Sequence, residues 1–261
     1  MRSQVIQLLN EMYPISLEDM DAVRLMDRVD TKYVIHSDHF ESFIHKIKED
    51  YYVQEINGMR VSDYLTTYLD TPSEDMFIAH QNGKSDREKI RIREYVDSQI
   101  VFLEVKHKSN KGKTQKVRIA IKDRDDFRNK ENSSFLNRNS QYELKNLFPR
   151  LENEFNRITL VNKGMTERLT LDCDINFRNL ETGKCAKVSD LVIVEIKQNS
   201  ESYSPAREVL SVKRVRPVSI SKYCLGAIIT NPSLKYNRFK KKLMLLNKLT
   251  NNHYGHFIGM H

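Results

Sequence analysis

The chain is poor in cysteine, in long apolar runs and in nucleophile motifs, and each shortage argues against something. Among 261 residues there are three cysteines, Cys173, Cys185 and Cys224, without CxxC spacing. An odd, unpaired set speaks against a disulfide framework or a zinc site and for free thiols in a reducing compartment. No apolar run approaches the length that spans a bilayer, and the opening MRSQVIQLLNEMYP lacks the apolar core of a signal peptide. A cytoplasmic protein with no transmembrane segment of its own is expected. No Ser/His/Asp or Cys/His arrangement stands out, and no repeat or low-complexity linker divides the chain. A single domain over 1–261 is therefore expected.

Positive charge is abundant. Lys and Arg number 43 against 35 Asp and Glu, a net +8. That balance favours a polyanionic partner: nucleic acid, an anionic membrane or a phosphate compound. Its densest expression runs from Arg87 to Ile121. Lys89, Arg91 and Arg93 alternate with Ile90, Ile92 and Glu94. Phe102, Glu104, Lys106 and Lys108 alternate with Val101, Leu103, Val105 and His107, and Lys116 and Arg118 with Val117, Ile119 and Ile121. Side chains of a strand switch faces at every residue, so the pattern predicts a three-strand meander with one basic and one apolar face.

Elsewhere the spacing predicts helix over 1–27, broken at Pro14, and strand over 28–36. A helix from Asp38 should carry Phe40, Phe43, Ile44 and Ile47 inward, and a strand should cover 60–70. A short strand is expected at Met76–His80, before an Asn82-Gly83 turn. Asn132–Ser140 reads as a loop, and Leu144, Leu147, Phe148, Leu151 and Phe155 keep helical spacing despite Pro149. Strands are expected at 157–161, 168–177 and 191–197, the last an apolar run ending in Glu195 and Lys197. A helix is expected at 207–212, a break at 217–219, and a buried segment at 221–229 carrying Lys222. A basic amphipathic helix should fill 234–249, with Phe239, Leu243 and Leu246 inward and Leu245 at the margin.

A sheet with one wet side would also show charged strand faces. Solvated faces, however, usually mix signs, because like charges opposite each other repel. Here neighbouring strands would bring Arg91 and Arg93 near Lys106, and Lys106 near Lys116, a cluster that an anion would neutralise. The helices need an apolar surface, which the outer face of a curled sheet supplies. The expected fold is therefore α+β, an antiparallel β-barrel tunnel of about eight strands with helices outside. A lumen of Arg and Lys suits a chain of phosphates, and Glu195 is the leading carboxylate for a divalent ion bridging them. Glu104, Asp172 and Asp174 are weaker, since each can pair with a neighbouring cation. RNA would favour aromatics interleaved with the cations, whereas the meander interleaves aliphatics, so nucleic acid is not the expected partner.

TKYVI at 31–35, YLDT at 68–71, KIRIREY at 89–95, FLEVKHK at 102–108, KVRIAI at 116–121, RLTLD at 168–172, VEIK at 194–197 and SKYCLG at 221–226 stand in the order of a known family. Over about 20–230 the chain resembles the VTC domain of triphosphate tunnel metalloenzymes, relatives of the CYTH phosphatases. The resemblance implies a metal-dependent phosphotransferase, a polyphosphate polymerase using ATP with Mn²⁺ or Mg²⁺. It matches Arg91, Arg93, Lys106, Lys116, Arg168 and Lys222 to the family's phosphate-binding catalytic cations and Lys32 to one near the tunnel mouth. It matches Glu195 to the metal-binding glutamate, with Asp172 assisting. Lys89 and Arg118, on the same basic faces, join the substrate-binding candidates. Two departures add Lys163 and His80 to them: the family has a further arginine in the strand before RLTLD, where this chain offers Lys163, and another near His80. The implied ligands are ATP, polyphosphate, triphosphate or pyrophosphate. For the basic helix over 234–249, packing on its own domain is the favoured reading, and contact of Lys240–Lys242 and Leu243–Leu246 with an anionic membrane or a membrane protein partner is the alternative. The alternatives are a triphosphate hydrolase of the same tunnel and a non-catalytic polyphosphate binder.

Overall fold

The structure is a computed structural model that describes residues 2–21, 28–199 and 202–250. The helix expected across 22–27 lies outside the described residues. In chain order the elements are α1 (Arg2–Glu11), β1 (Pro14–Ile15), α2 (Leu17–Asp21), β2 (Arg28–His36), α3 (Phe40–Ile47), β3 (Tyr51–Gln54), β4 (Ser62–Asp70) and α4 (Asp75–Gln81). There follow β5 (Arg87–Tyr95), β6 (Ile100–Lys108), β7 (Thr114–Ile121), α5 (Lys130–Asn139), β8 (Phe148–Asn162), β9 (Glu167–Asn179), β10 (Cys185–Val188) and β11 (Leu191–Asn199). The chain closes with α6 (Pro205–Val212), α7 (Lys222–Thr230) and α8 (Lys240–Thr250). The class is α+β with a largely antiparallel sheet. No described helix is long and apolar enough to cross a membrane.

Two compact units form. Unit one comprises Met1–Ser62, Phe155–Ile175 and Val188–Ile220, and unit two comprises Asp63–Glu154, Asn176–Lys187 and Ser221–His261. In unit one, β11 lies between β2 and β9, and β9 is followed by β8, with β3 and then β1 paired beyond it. The apolar face of this ladder carries Tyr33, Ile35, Ile158, Leu160, Leu169, Leu171, Val192, Val194 and Ile196. The helix α3 covers it with Phe40, Phe43, Ile44 and Ile47, each exposed by 1% or less. Its apolar residues recur at helical spacing, and each such burial contributes about 2 kcal/mol. The Tyr51 hydroxyl donates to buried Glu167 and accepts from Ala206 N, which ties the start of α6 to β3 and β9.

In unit two, β4, β5, β6 and β7 form an antiparallel meander. Its apolar face, built by Ile90, Ile92, Leu103 and Val105, is closed by Phe135 and Leu136 of α5 together with Leu144 and Leu147. In each unit, helices cover the apolar strand face, while the charged face meets a helix locally, at Tyr223 and the N-cap Ser221 of α7 in unit two and at Met20 of α2 in unit one. Among the described residues, β2 pairs only with β11 and β7 only with β6, so both strands are edges of the hydrogen-bonded path. The antiparallel α+β class is as expected, without closure by hydrogen bonds between those strands.

Four local expectations differ from what forms. Residues 75–81 are a helix, not a strand, because Asp70 caps them: its carboxylate accepts from Thr71 N at 2.8 Å and from Met76 N and Phe77 N at 3.0 Å. A carboxylate at a helix N-terminus satisfies donors that otherwise have no partner. Residues 130–139 are a helix, not a loop. Asn129 accepts from Asn132 N at 2.9 Å, and the burial of Phe135 and Leu136 outweighs the low helix propensity of Asn and Ser.

Residues 148–155 belong to the long strand β8. Its buried positions are Leu151, Asn153 and Phe155, then every residue from Ile158 to Asn162. The alternation breaks after Phe155, both faces are buried from Ile158, and that break imitates helical spacing. At the C-terminus, Phe239, Leu243 and Leu246 are buried as expected, but Leu245 is 46% exposed.

Candidate active site

The register of unit two converts alternating cations into rows. Lys89 stands opposite Lys106, and Lys106 opposite Lys116. The next row is Tyr68, Arg91, Glu104 and Arg118, and the one after it Thr66, Arg93, Phe102 and Ala120. Lys106 thus faces two lysines, while Arg91 faces a carboxylate. Glu104, 1% exposed, accepts from Arg91 Nε at 2.7 Å and from Lys116 Nζ at 3.1 Å. Burial works to raise its pKa, but Arg91, Arg93 and Lys116 hold it well below the usual carboxylate range. One buried anion therefore serves three cations.

Lys89 donates to Ser221 Oγ at 2.9 Å, and Ser221 caps α7 by accepting from Cys224 N at 3.4 Å. Burial, reinforced by Lys106, Arg87 and Arg91 and opposed by Cys224, pushes its ammonium down to about 8. The Lys116 ammonium is also lowered, first by burial and less by Arg91, against the pull of Glu104. Crowded, partly desolvated cations of this kind favour an added anion. Lys222 opens α7 and is half-buried. Its neighbour Tyr223 is anchored by donating to Asp70 Oδ2 at 2.5 Å and by stacking on Tyr68 at 5.0 Å between ring centroids. Arg118 is exposed, with its guanidinium 4.2 Å from the Phe102 ring centroid.

His80 carries no charge for an anion. Burial, then Lys89, Arg87, Lys242 and Lys108, lowers it to about 2, and its ring stacks on Phe239 at 5.7 Å. The structure thus puts His80 in an aromatic packing position rather than in the role of a cation.

Unit one gathers a second charged face. Glu195 stands opposite Lys32 on one side and Thr170 on the other. Its carboxylate is paired with Lys32 and lies 3.8 Å from Lys197 Nζ. Burial works to raise its pKa, yet Lys197 and Lys32, with help from Arg157, hold it well below the ordinary carboxylate range. Asp172 accepts a fork from Arg157, Nε at 2.6 Å and Nη2 at 2.8 Å. Arg168 donates through Nη2 to the Met20 carbonyl at 3.1 Å. Alternation along β9 and β11 puts Arg168, Thr170, Asp172, Glu195 and Lys197 on one face.

Lys163 is not on that face. It sits exposed in the turn after β8, its Nζ 5.7 Å from the Tyr13 ring centroid. The arginine that the strand before RLTLD does contribute is Arg157, which was not singled out from the sequence. Its signal, Arg157 and Thr159 alternating with Ile158 and Leu160, was masked by the break in alternation just before it.

Among the described residues, no group of three His, Cys, Asp or Glu side chains could hold a metal ion. A smaller protein contribution does fit. Glu195 is ionised and offers hard oxygen, and the buried Thr170 hydroxyl opposite it has no hydrogen-bond partner among the described residues. Ions such as Mg²⁺ commonly take one or two carboxylates and complete their shell with phosphate oxygens and water.

The described residues thus form a helix-backed antiparallel sheet with Lys and Arg massed on the charged strand faces. The pattern of one family, the VTC domain, matches residues 27–230, and the chain belongs to that family. No curated protein matches it. Among solved structures it is similar to a candidate adenylyl cyclase, HpAC1, from Hippeastrum, described as having a dominant triphosphatase activity. The identity is 13%, with 81% of this chain and 100% of that one covered and a TM-score of 0.45. It is also similar to a candidate adenylate cyclase from Vibrio parahaemolyticus, at 12% identity, 76% and 96% coverage and a TM-score of 0.44. A third similar structure is a conserved protein from Pyrococcus furiosus, at 16% identity, 74% and 97% coverage and a TM-score of 0.38.

Proposed function

We propose that the chain is a polyphosphate polymerase that transfers the γ-phosphoryl group of ATP to a growing polyphosphate chain. The observation that carries this reading is the row Lys89, Lys106 and Lys116, set directly side by side on three strands. Like charges in that position destabilise a sheet, and a chain of phosphates is the ligand that relieves them. In this reading Lys89, Lys106, Lys116 and Lys222 act as point charges along the phosphates. Arg91, Arg93 and Arg118 offer forks to the non-bridging oxygens.

Glu195, with the Thr170 hydroxyl beside it, would hold Mn²⁺ or Mg²⁺. A divalent ion of this kind would supply charge neutralisation for phosphate oxygens. A terminal oxygen of the acceptor attacks the γ-phosphorus, the bond to the β-phosphate oxygen breaks, and ADP leaves. Phosphoryl transfer depends chiefly on position and electrostatics, so the lack of a nucleophile motif is no obstacle.

The test is to incubate the protein with ATP and Mn²⁺ and resolve the products on a gel. A ladder of long polyphosphate is the expected result. Orthophosphate alone would replace this reading with hydrolysis, and no turnover of ATP would leave a binding module.

A further inference from the structure

The basic face of unit two changes character along its length. Tyr64 stands opposite Tyr95, and Arg93 opposite Phe102. Tyr64, Tyr95 and Phe102 point away from the core made by Ile90, Ile92, Leu103 and Val105, and all three are half-buried. Their rings form one cluster: Tyr64 to Tyr95 at 4.9 Å and Tyr95 to Phe102 at 5.9 Å between centroids. Arginines border it, Arg118 over Phe102 at 4.2 Å and Arg93 over Tyr64 at 5.4 Å. The Tyr95 hydroxyl is 3.5 Å from Arg118 Nη1.

We propose that this cluster is a stacking platform for the base of a nucleoside triphosphate whose phosphates lie along the lysine row. The inference rests on the reading above that the lysine row holds phosphate. Phe102 and Lys106 are four residues apart on one strand and one face, so the two stations are separated by roughly 13 Å. That is comparable to the reach from base to terminal phosphate in an extended nucleoside triphosphate. Partly exposed rings with a guanidinium stacked on one of them suit a flat base, which slides between an aromatic face and a cation. The rim includes two phenol hydroxyls, each able to donate or accept, and two guanidinium groups, a set that is not matched to one base. Purine triphosphates should therefore bind alike, and inorganic triphosphate should gain nothing from the platform. Interleaved aromatics are not visible along any one strand, because the three rings come from three strands and only the register assembles them.

Binding separates this from the polymerase reading, since it needs no turnover. Calorimetric titration of the full chain with ATP, GTP and tripolyphosphate, without divalent metal, gives the ratio of nucleotide to tripolyphosphate affinity. In Phe102→Leu and Tyr95→Leu that ratio is expected to fall roughly tenfold, with ATP and GTP affected alike, and in Phe102→Tyr to stay near the wild-type value. Unchanged ratios in both leucine variants, with wild type binding both classes of ligand, overturn the platform and leave the phosphate grip standing. A wild type that binds neither overturns the phosphate reading and the platform with it.

Discussion

Arg91 and Glu104 stand directly opposite on adjacent strands, and the guanidinium donates through Nε to the carboxylate at 2.7 Å while Lys116 takes its other oxygen at 3.1 Å. Glu104 is therefore the counter-ion of the basic face as well as a member of it. Glu104→Gln leaves Arg91 and Lys116 without that charge. The expected outcome is a loss of about 3 kcal/mol in stability. Added tripolyphosphate should restore more of the midpoint in the variant than in wild type. Thermal unfolding with and without tripolyphosphate checks both.

Lys89 gives the site a pH dependence. Its ammonium is lowered from 10.5 to about 8, with burial the largest cause. It is charged at pH 7 and neutral at pH 9, so polyphosphate affinity at constant ionic strength should fall as pH rises between them. The stability effect has the opposite sign. Between about 8 and 10.5 the unfolded chain keeps a proton that the folded chain has lost, so ligand-free stability should rise with pH across that window. Urea midpoints at several pH values test the second expectation and calorimetry the first. Lys89→Met should flatten both and weaken binding at pH 7.

The Arg157–Asp172 fork predicts that lysine will not replace arginine. Lysine supplies a point charge where two parallel donors now meet both carboxylate oxygens. Arg157→Lys should cost about 2 kcal/mol of stability. A double-mutant cycle with Asp172→Asn, read by denaturant midpoints, should show coupling between the two positions. Simple additivity would mean that the fork contributes little.

Glu195 is held ionised by Lys197 and Lys32 against the effect of its burial. Glu195→Gln should reduce metal-dependent turnover of ATP by about 100-fold. The wild-type rate should show no acid limb from this group between pH 5 and 8. Manganese titrations of phosphoryl transfer across that range measure both, and an unchanged metal dependence in the variant would remove Glu195 from the ion's coordination.

Strong two-residue alternation made β5, β6, β7 and β9 legible, a continuous apolar run did so for β11, and amphipathic spacing for α3 and α8. Those patterns reflect burial against one face, which a sequence records directly. Asp70 capping α4 was not legible, because the helix depends on a carboxylate five residues before it. Arg157 was hidden for a related reason: β8 buries alternate residues up to Phe155 and both faces from Ile158, and a break in alternation looks like a change of period.

The sequence by itself determined which residues carry charge, which faces are apolar, and the order of motifs that marks the family. Strand register, a tertiary property, decided the partners. It set Lys106 between two lysines, Glu104 between Arg91 and Arg118, and Tyr64, Tyr95 and Phe102 in one cluster. Alternation tells a strand's faces apart but says nothing of which residue on the next strand stands opposite. The physical reason is that register is fixed by turns and by packing between strands, and a slip of one residue reverses every side chain.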